Sequence, residues 1–377
     1  MPLPFEQLPS PCFVVDRGLL ARNLDVLAHV QRRSGGRIIL ALKGFAMWSL
    51  FPQIAAVLRG TTASSVNEAV LGQQEFGGEV HVYSVAYTQP EFDRLVSIAH
   101  HLTFNSLSQF AQLKRPIGGD CSYGLRINPE YSEVKTDLYN PCRPGTRFGV
   151  SAGQIADADL TGIDGFHFHS MCEQGSDTLA RTLKVVEQKF ASWLPRLKWI
   201  NCGGGHHITR DDYDLDLLVS EIQRLRQTYG IDVYLEPGEA VALETGYLVT
   251  TVVDLFDSGD QQIAVLDTSA TAHMPDVLEM PYRPEIVGAG MPGAKPFTYH
   301  LGGLTCLAGD IIGDYSFDAP LQIGQRLVFT DMAHYSMVKT TMFNGVQHPA
   351  IAWWDPDSGE FSVVRQFGYE DFKMRLS

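Results

Sequence analysis

Between Asp16 and Ala242 the 377-residue chain alternates short apolar runs with stretches of helical spacing, and no other feature narrows its possible folds as much. The apolar runs are residues 37–43, 61–64, 80–84, 102–105, 123–128, 165–169, 198–202 and 232–236. Helical spacing fills 46–58, 65–75, 90–100, 177–194 and 211–229 between them. Ahead of the series stand an opening strand, 11–16, and an amphipathic stretch, 17–32. Eight strand-then-helix units with short connections predict a (β/α)8 barrel, assigned here to residues 12–242. A doubly wound parallel sheet is the alternative; it ranks second because no GxGxxG follows the first strand.

After Ala242 the texture changes. Runs rich in β-branched and aromatic residues, 247–256, 262–267, 297–301 and 325–329, are separated by turns such as Asp257-Ser258-Gly259-Asp260 and Met291-Pro292-Gly293. That pattern predicts a second, all-β domain of sandwich or barrel type, formed by 243–377 together with 1–11. With 45% hydrophobic and 19% charged residues the chain is globular. A net charge of −14 argues against nucleic acid or an anionic membrane as partner, and is compatible with a small cationic ligand. The start of the sequence has neither the basic nor the apolar segment of a signal peptide, and no apolar run is long enough to span a bilayer. Six cysteines without a CxxC pair are expected to be reduced thiols, which places the chain in the cytoplasm.

In a barrel of this kind chemistry collects where strands end. Those ends carry Lys43, Ser64, Ser84, Asn105, Asn128, His169, the loop Gly203-Gly204-Gly205, and Glu236. Lys43 closes the apolar run 38–42; beside an apolar wall an amine loses its proton more readily, as a nucleophile must, although strand-end lysines also serve as solvated charges. The glycine loop can offer backbone N–H groups to a phosphate, or be only a turn; it lacks the GK[ST] of a nucleotide-binding loop. Glu236 has the chemistry to keep a pyridine nitrogen protonated, or to form a salt bridge, and His169 to stack on a flat ring or fill the core. His167, His169, Cys172, His206 and His207 match no standard zinc spacing, so no metal is expected. Arg147-Phe148-Gly149 either orients a site residue or closes a loop, and Trp353-Trp354 reads as packing.

Taken together, Ala41-Leu42-Lys43, Phe168-His169, Cys202-Gly203-Gly204-Gly205, Glu236-Pro237-Gly238, Leu304-Thr305-Cys306 and Phe343-Asn344-Gly345 resemble the fold-type III decarboxylases that use pyridoxal 5'-phosphate (PLP). These include the ornithine, arginine and diaminopimelate decarboxylases. Further motifs resemble the carboxynorspermidine/carboxyspermidine branch: Glu239-Ala240 after the Glu-Pro-Gly, 267–273, Cys306-Leu307-Ala308-Gly309-Asp310 and Tyr335-Ser336-Met337-Val338-Lys339. The resemblance runs from about Pro11 to the end of the chain. It implies that Lys43 links covalently to PLP, that His169 stacks on its ring, and that Glu236 pairs with its nitrogen. By the same resemblance Gly203, Gly204, Gly205 and Tyr335 hold the phosphate. Cys306 corresponds to a proton-returning cysteine presented across a head-to-tail homodimer, and Asp310 to an acid near the substrate's distal amine.

Two departures bear on the substrate. Glu239 stands where the ornithine and diaminopimelate enzymes have arginine, which favours a substrate bearing amines over one with a distal carboxylate. Asp276 and Glu279 add two carboxylates where relatives hold the far end of the substrate. Ser170-Met171-Cys172-Glu173 replaces the usual residues after His169 and puts a phosphate contact from that loop in doubt. The implied activity is decarboxylation of carboxynorspermidine, with carboxyspermidine alongside it, in polyamine biosynthesis. The alternatives are a diaminopimelate or ornithine decarboxylase, or a non-catalytic regulator like the antizyme inhibitors.

Overall fold

The computed structural model describes residues 3–114 and 121–377. They form two compact units, Asn23–Val241 and a second made of Met1–Arg22 with Ala242–Ser377.

The first unit is a parallel barrel. After the opening strand β1 (Cys12–Asp16), its strands are β2 (Arg37–Ile38), β3 (Leu40–Ala41), β4 (Gly60–Ala63), β5 (Glu79–Tyr83), β6 (His101–Phe104), β7 (Ser122–Arg126), β8 (Gly165–His167), β9 (Trp199–Asn201) and β10 (Asp232–Leu235). Strands β2 and β3 flank Ile39 and act as one interrupted strand. On one side β2 pairs with β10, on the other β3 pairs with β4, and this closes the ring. The helices outside are held by apolar stripes at helical spacing. Ser176–Phe190 buries Leu179, Leu183, Val186 and Phe190. Leu215–Tyr229 buries Leu218, Ile222 and Leu225, is capped by the Asp214 carboxylate, and stops at Gly230 with φ of 69°.

Side chains two apart on a strand share a face, so the barrel interior fills in layers. Its lower layers are aromatic. Ile39, Trp199 and Tyr234 pack together, and the His101 ring lies 4.5 Å from Trp199 and 4.1 Å from His81. Trp199 fits only because Gly165 faces it: a Cβ there would come within 2.0 Å of the indole. One step further along the same strands the inward positions turn polar, with Tyr83, Asn105, Arg126, His167, Asn201 and Glu236. The aromatic layers fill the barrel interior, and the polar layer faces the strand ends that carry Lys43 and His169.

The observed strands stop one or two residues short of the apolar runs in the sequence, so Lys43, Asn105, His169 and Glu236 sit just beyond strand ends, in the loops that follow. A larger correction concerns β1. It pairs antiparallel with β11 (Gly246–Ser258) and parallel with β16 (Ala350–Trp354), so it belongs to the second unit and not to the barrel. Its five residues are all buried. Phe13 enters one core with Leu248 and Phe329, while Cys12 and Val14 enter another with Val249 and Ala350. A strand buried on both faces reads as a plain apolar run, and nothing local says which sheet it joins.

The second unit is an eight-stranded, mostly antiparallel sheet. Its other strands are β12 (Gln261–Leu266), β13 (Phe297–Gly302), β14 (Ile311–Phe317), β15 (Arg326–Thr330) and β17 (Phe361–Arg365). The long β11 serves two partner sets, β1 and β15 along its first half and β12 along its second, with a register shift between Val252 and Asp254. Trp354 is buried in β16, and the Arg17 guanidinium lies 5.0 Å over the Trp353 ring. Among the described residues no helix is long and apolar enough to cross a membrane.

Candidate active site

Lys43 occupies the turn after β3, between buried Leu42 and buried Gly44. Gly44 must be glycine here, since a Cβ would lie 2.9 Å from the Gly238 Cα and 3.0 Å from the Glu239 nitrogen. The lysine keeps accessible surface, yet it stands in a hollow walled by the barrel. Limited hydration lowers its pKa, the nearby Arg126 charge lowers it further, and Glu236 and Glu68 oppose both. The result is an amine that sheds its proton more easily than a surface lysine.

Glu236 follows β10. Its Oε1 accepts from the Asn201 Nδ2 at 2.7 Å, and its Oε2 lies 3.2 Å from the His167 Nε2. Burial alone would raise its pKa, but these partners win and hold the carboxyl at about 2. His167 is pushed down from its usual value by burial, against the pull of Glu236. A neutral ring donating Nε2–H to an ionised carboxylate satisfies both directions. Tyr83 stacks on that ring at 5.3 Å.

His169 is also kept neutral, by burial first and then by the Lys43 and Arg126 charges. Its Nδ1 sits 3.2 Å from the Gly204 nitrogen and 3.1 Å from the Gly204 oxygen, so the ring leans on the glycine loop. The loop itself has no room for side chains. A Cβ on Gly203 would meet the Phe168 oxygen at 2.4 Å, on Gly204 the Glu236 oxygen at 2.5 Å, and on Gly205 the Met171 oxygen at 2.1 Å. Gly203 and Gly205 also have φ of 71° and 81°. The Gly203 N–H is engaged by Asn201 Oδ1 at 2.9 Å. Beside the loop, His207 Nε2 lies 3.3 Å from Glu239 Oε2.

Two residues of this site are not evident from the sequence. Arg126 is only 4% exposed. Its guanidinium lies 4.5 Å over Tyr83 and 4.4 Å over Phe148, and donates to the His169 oxygen at 3.2 Å. Asn105 holds this clamp together: it accepts from Tyr83 Oη at 2.7 Å and donates to the Arg147 oxygen at 2.8 Å. The segment Arg147-Phe148-Gly149 therefore orients a site residue. An arginine closing a largely buried strand is the one local signal of this clamp. Glu68 is the other residue. Its backbone N–H is capped by Ser65 Oγ at 3.2 Å while its carboxylate accepts from the Ser64 N–H at 2.6 Å. Burial raises its pKa, opposed by Ser64 and by Lys43.

The remaining candidates lie in the second unit. Cys306 is exposed, in the turn between β13 and β14. Asp310, expected near a substrate amine, is instead 3% exposed. Its carboxylate accepts from Ser269 Oγ, the Thr271 N–H, the Thr305 N–H and Thr305 Oγ1, at 2.7 to 3.1 Å. Four donors fill its lone pairs, so it is a tether within the protein. Asp276 and Glu279 both hold the Lys339 ammonium, each at 2.5 Å. Tyr335 lies in the loop after β15, where its oxygen accepts the Lys339 N–H at 2.9 Å. Among the described residues no group of three or more His, Cys, Asp or Glu is arranged to hold a metal ion.

A family model described as pyridoxal-dependent decarboxylase, C-terminal sheet domain, matches residues 12–333. The chain belongs to the pyridoxal-dependent decarboxylases. The carboxyaminopropylagmatine decarboxylase of a Synechocystis species is 48% identical over 98% of this chain and 96% of that protein. The carboxynorspermidine/carboxyspermidine decarboxylase of Campylobacter jejuni is 40% identical over 98% of this chain and 99% of its own length. The crystal structure of the C. jejuni carboxynorspermidine decarboxylase complexed with norspermidine superposes with a TM-score of 0.91 at 39% identity, covering 98% of this chain and all of that one. A diaminopimelate decarboxylase from Helicobacter pylori shares the fold, with a TM-score of 0.82 at 15% identity. Decarboxylases of this family use PLP, and the residues present suit it: a proton-poor amine, an ionised carboxylate, a neutral flat imidazole and a loop stripped of side chains.

Proposed function

We propose that this decarboxylase removes the α-carboxylate of carboxynorspermidine, and of carboxyspermidine, releasing CO2 and norspermidine or spermidine. The observation that carries the reading is the pairing of a depressed Lys43 amine with an ionised Glu236 on adjacent barrel strands. Bound PLP supplies the electron sink. Lys43 would carry the cofactor, and its lowered pKa suits an amine that gives way to the substrate's α-amine and regains its place as the product amine leaves. Glu236 would keep the pyridine nitrogen protonated, with His167 and Asn201 fixing the carboxylate plane. His169 would cover the ring, and the glycine loop and Tyr335 are the residues that would hold the phosphate. The carboxylate leaves as CO2 and Cys306 gives its S–H proton to the carbon left behind.

Substrate choice rests on charge. Glu239 begins beside the Gly44 turn and offers a carboxylate to an amine of the substrate. Asp276 and Glu279 share one lysine between them and so keep one net negative charge for a second amine. Asp310 leaves the substrate set and joins the scaffold of the Cys306 turn. The enzyme acts as a head-to-tail homodimer with shared sites, in the cytoplasm, where its six free thiols stay reduced.

A second reading has a specific observation behind it. The 48% identical relative acts on carboxyaminopropylagmatine, whose far end is a planar guanidinium instead of an ammonium, and guanidinium asks for a bidentate carboxylate. The deciding experiment offers purified, PLP-loaded protein five substrates separately and follows products by mass spectrometry. These are carboxynorspermidine, carboxyspermidine, carboxyaminopropylagmatine, meso-diaminopimelate and ornithine. Norspermidine and spermidine should dominate. Preferred turnover of the guanidinium substrate would move the assignment to the second reading, and lysine as the main product would overturn both.

A further inference from the structure

We infer that Asn344 is a positioning residue for the Cys306 thiol, acting through a side-chain hydrogen bond to the Cys306 backbone. The inference rests on the proposed role of Cys306 as proton donor and gives a role to Asn344, the middle residue of the motif Phe343-Asn344-Gly345.

Cys306 sits in the turn joining β13 to β14, and that turn is fastened at two successive residues from two different directions. The first fastening is Asp310, which binds both the N–H and the hydroxyl of Thr305 and also Ser269 and Thr271. Gly303 makes room for it, since a Cβ there would lie 2.5 Å from Asp310 Oδ2. The Gly303 N–H donates to the Asp310 oxygen at 2.9 Å and closes the base of the turn. The second fastening is Asn344, whose Oδ1 accepts the Cys306 N–H at 2.7 Å from 38 residues away. Its own segment is anchored in turn: the Thr341 N–H donates to the Ala272 oxygen at 2.8 Å, and the Gly345 N–H to the Met342 oxygen at 3.0 Å.

Asn344 has φ of 56° and ψ of 13°, the left-handed region. Few side chains adopt it at low cost, and asparagine and aspartate are the ones that also carry a short acceptor oxygen. The position thus demands an unusual backbone and an acceptor in one residue. What it achieves is a fixed peptide plane on an exposed turn, and with that a fixed direction for the Cys306 Cα–Cβ bond. Cys306 is the exposed member of the six free cysteines. Burial pushes the thiols of Cys12 and Cys121 up to about 12 and that of Cys142 to about 11, which makes them poor at exchanging protons near neutrality. In the step concerned, the bond from Cα to the carboxylate breaks and CO2 leaves. The electron pair left at Cα takes the proton from Cys306 Sγ. The resulting thiolate recovers a proton from water. Because that transfer depends on an aligned donor, a displacement of about 1 Å costs on the order of 100-fold in rate.

The test compares holoenzyme carrying Asn344→Gly and Asn344→Asp. Glycine keeps the left-handed backbone and loses the acceptor; aspartate keeps both. Two quantities are measured: steady-state kcat and KM, and the rate at which iodoacetamide alkylates Cys306, followed by peptide mass spectrometry. Asn344→Gly should keep KM and cofactor content, lose roughly 10- to 100-fold in kcat, and shift the alkylation rate several-fold. Asn344→Asp should restore both. Wild-type kcat and alkylation in Asn344→Gly overturn the inference, as does an aspartate variant as impaired as the glycine one. Cys306→Ala separates this from the underlying reading. Full turnover without the thiol removes Cys306 as donor, while the alkylation rates still decide whether Asn344 aims it.

Discussion

The Nε2 of His167 lies 3.2 Å from Oε2 of Glu236, and Asn201 closes the same carboxylate from its other oxygen at 2.7 Å. Both partners donate, so the geometry stabilises the ionised acid whether or not a cofactor nitrogen faces it. Glu236→Gln retains size and one acceptor but removes the charge. It should bind PLP at close to wild-type stoichiometry while kcat falls by about 100-fold or more, the order lost when a stabilising charge is deleted from a low-dielectric site. Equal loss of cofactor and turnover would mean that Glu236 only builds the pocket.

Lys43 gives the complementary expectation. Lys43→Ala should abolish turnover and the visible absorbance of lysine-bound cofactor together. A variant that kept either would remove Lys43 from the catalytic role.

Acid should destabilise the fold earlier than carboxylates alone would cause. Burial pushes His101 down to about 2, and His206 and His273 to about 4, from 6.5. Groups with folded pKa values below their unfolded ones stay neutral in the fold while the unfolded chain gains protons. Their stability is therefore present above 6.5 and is lost progressively as pH falls below it. Each contributes up to about 1.4 kcal/mol per pH unit. Glu236 adds a loss of the same sign, beginning near 4.5 and complete near 2. Denaturation midpoints measured from about pH 7 downward should decline steeply below 6.5. His101→Gln should make that decline shallower, and an unchanged slope would refute the assignment.

Much of this site is legible in the sequence because a barrel places chemistry at strand ends, and the strands announce themselves by apolar runs. Lys43, His169 and Glu236 all follow from that rule. What stays hidden depends on partners far along the chain. The Lys339 ammonium that occupies Asp276 and Glu279 lies 63 and 60 residues from them in sequence. Two of the donors that bury Asp310, Ser269 and Thr271, lie 41 and 39 residues from it, so spacing from Cys306 suggests an exposed acid where the fold makes a tether. Arg126 is masked by its apolar neighbours, and Glu68 looks complete as a helix cap. The strand β1 points to the wrong domain because it abuts the helix Arg17–Ser34 in sequence while its pairing partners start more than 200 residues later.

The glycine loop should be intolerant for steric reasons that differ from position to position. In Gly204→Ala the new methyl would meet the Glu236 oxygen at 2.5 Å, and that oxygen is backbone, so relief requires moving Glu236 itself. A loss of about 1–3 kcal/mol is expected from overpacking of this kind, together with reduced kcat. Gly153→Ala is the control: its methyl would find only Ser151 Oγ, at 4.0 Å, inside the short helix Ala152–Ile155. That variant should be neutral or slightly stabilising. Urea midpoints of the two proteins settle the comparison.

On the proposed reading, Glu239 decides between a substrate bearing amines and one bearing a distal carboxylate. Its backbone packs on Gly44, one residue from the reactive lysine, and its side chain lies 3.3 Å from His207. Glu239→Arg replaces an acceptor of ammonium protons with a cation, and a substrate carrying several positive charges then meets repulsion where it met a partner. The KM for carboxynorspermidine should rise by roughly tenfold or more, the cost of one charge-assisted hydrogen bond, while PLP affinity shifts far less. If substrate and cofactor affinities fall in equal measure, the substitution has damaged the phosphate end of the site, and Glu239 leaves the substrate set. A rise in KM confined to cationic substrates, with diaminopimelate unaffected, would instead tie the choice of substrate to the sign of the charge at this one position.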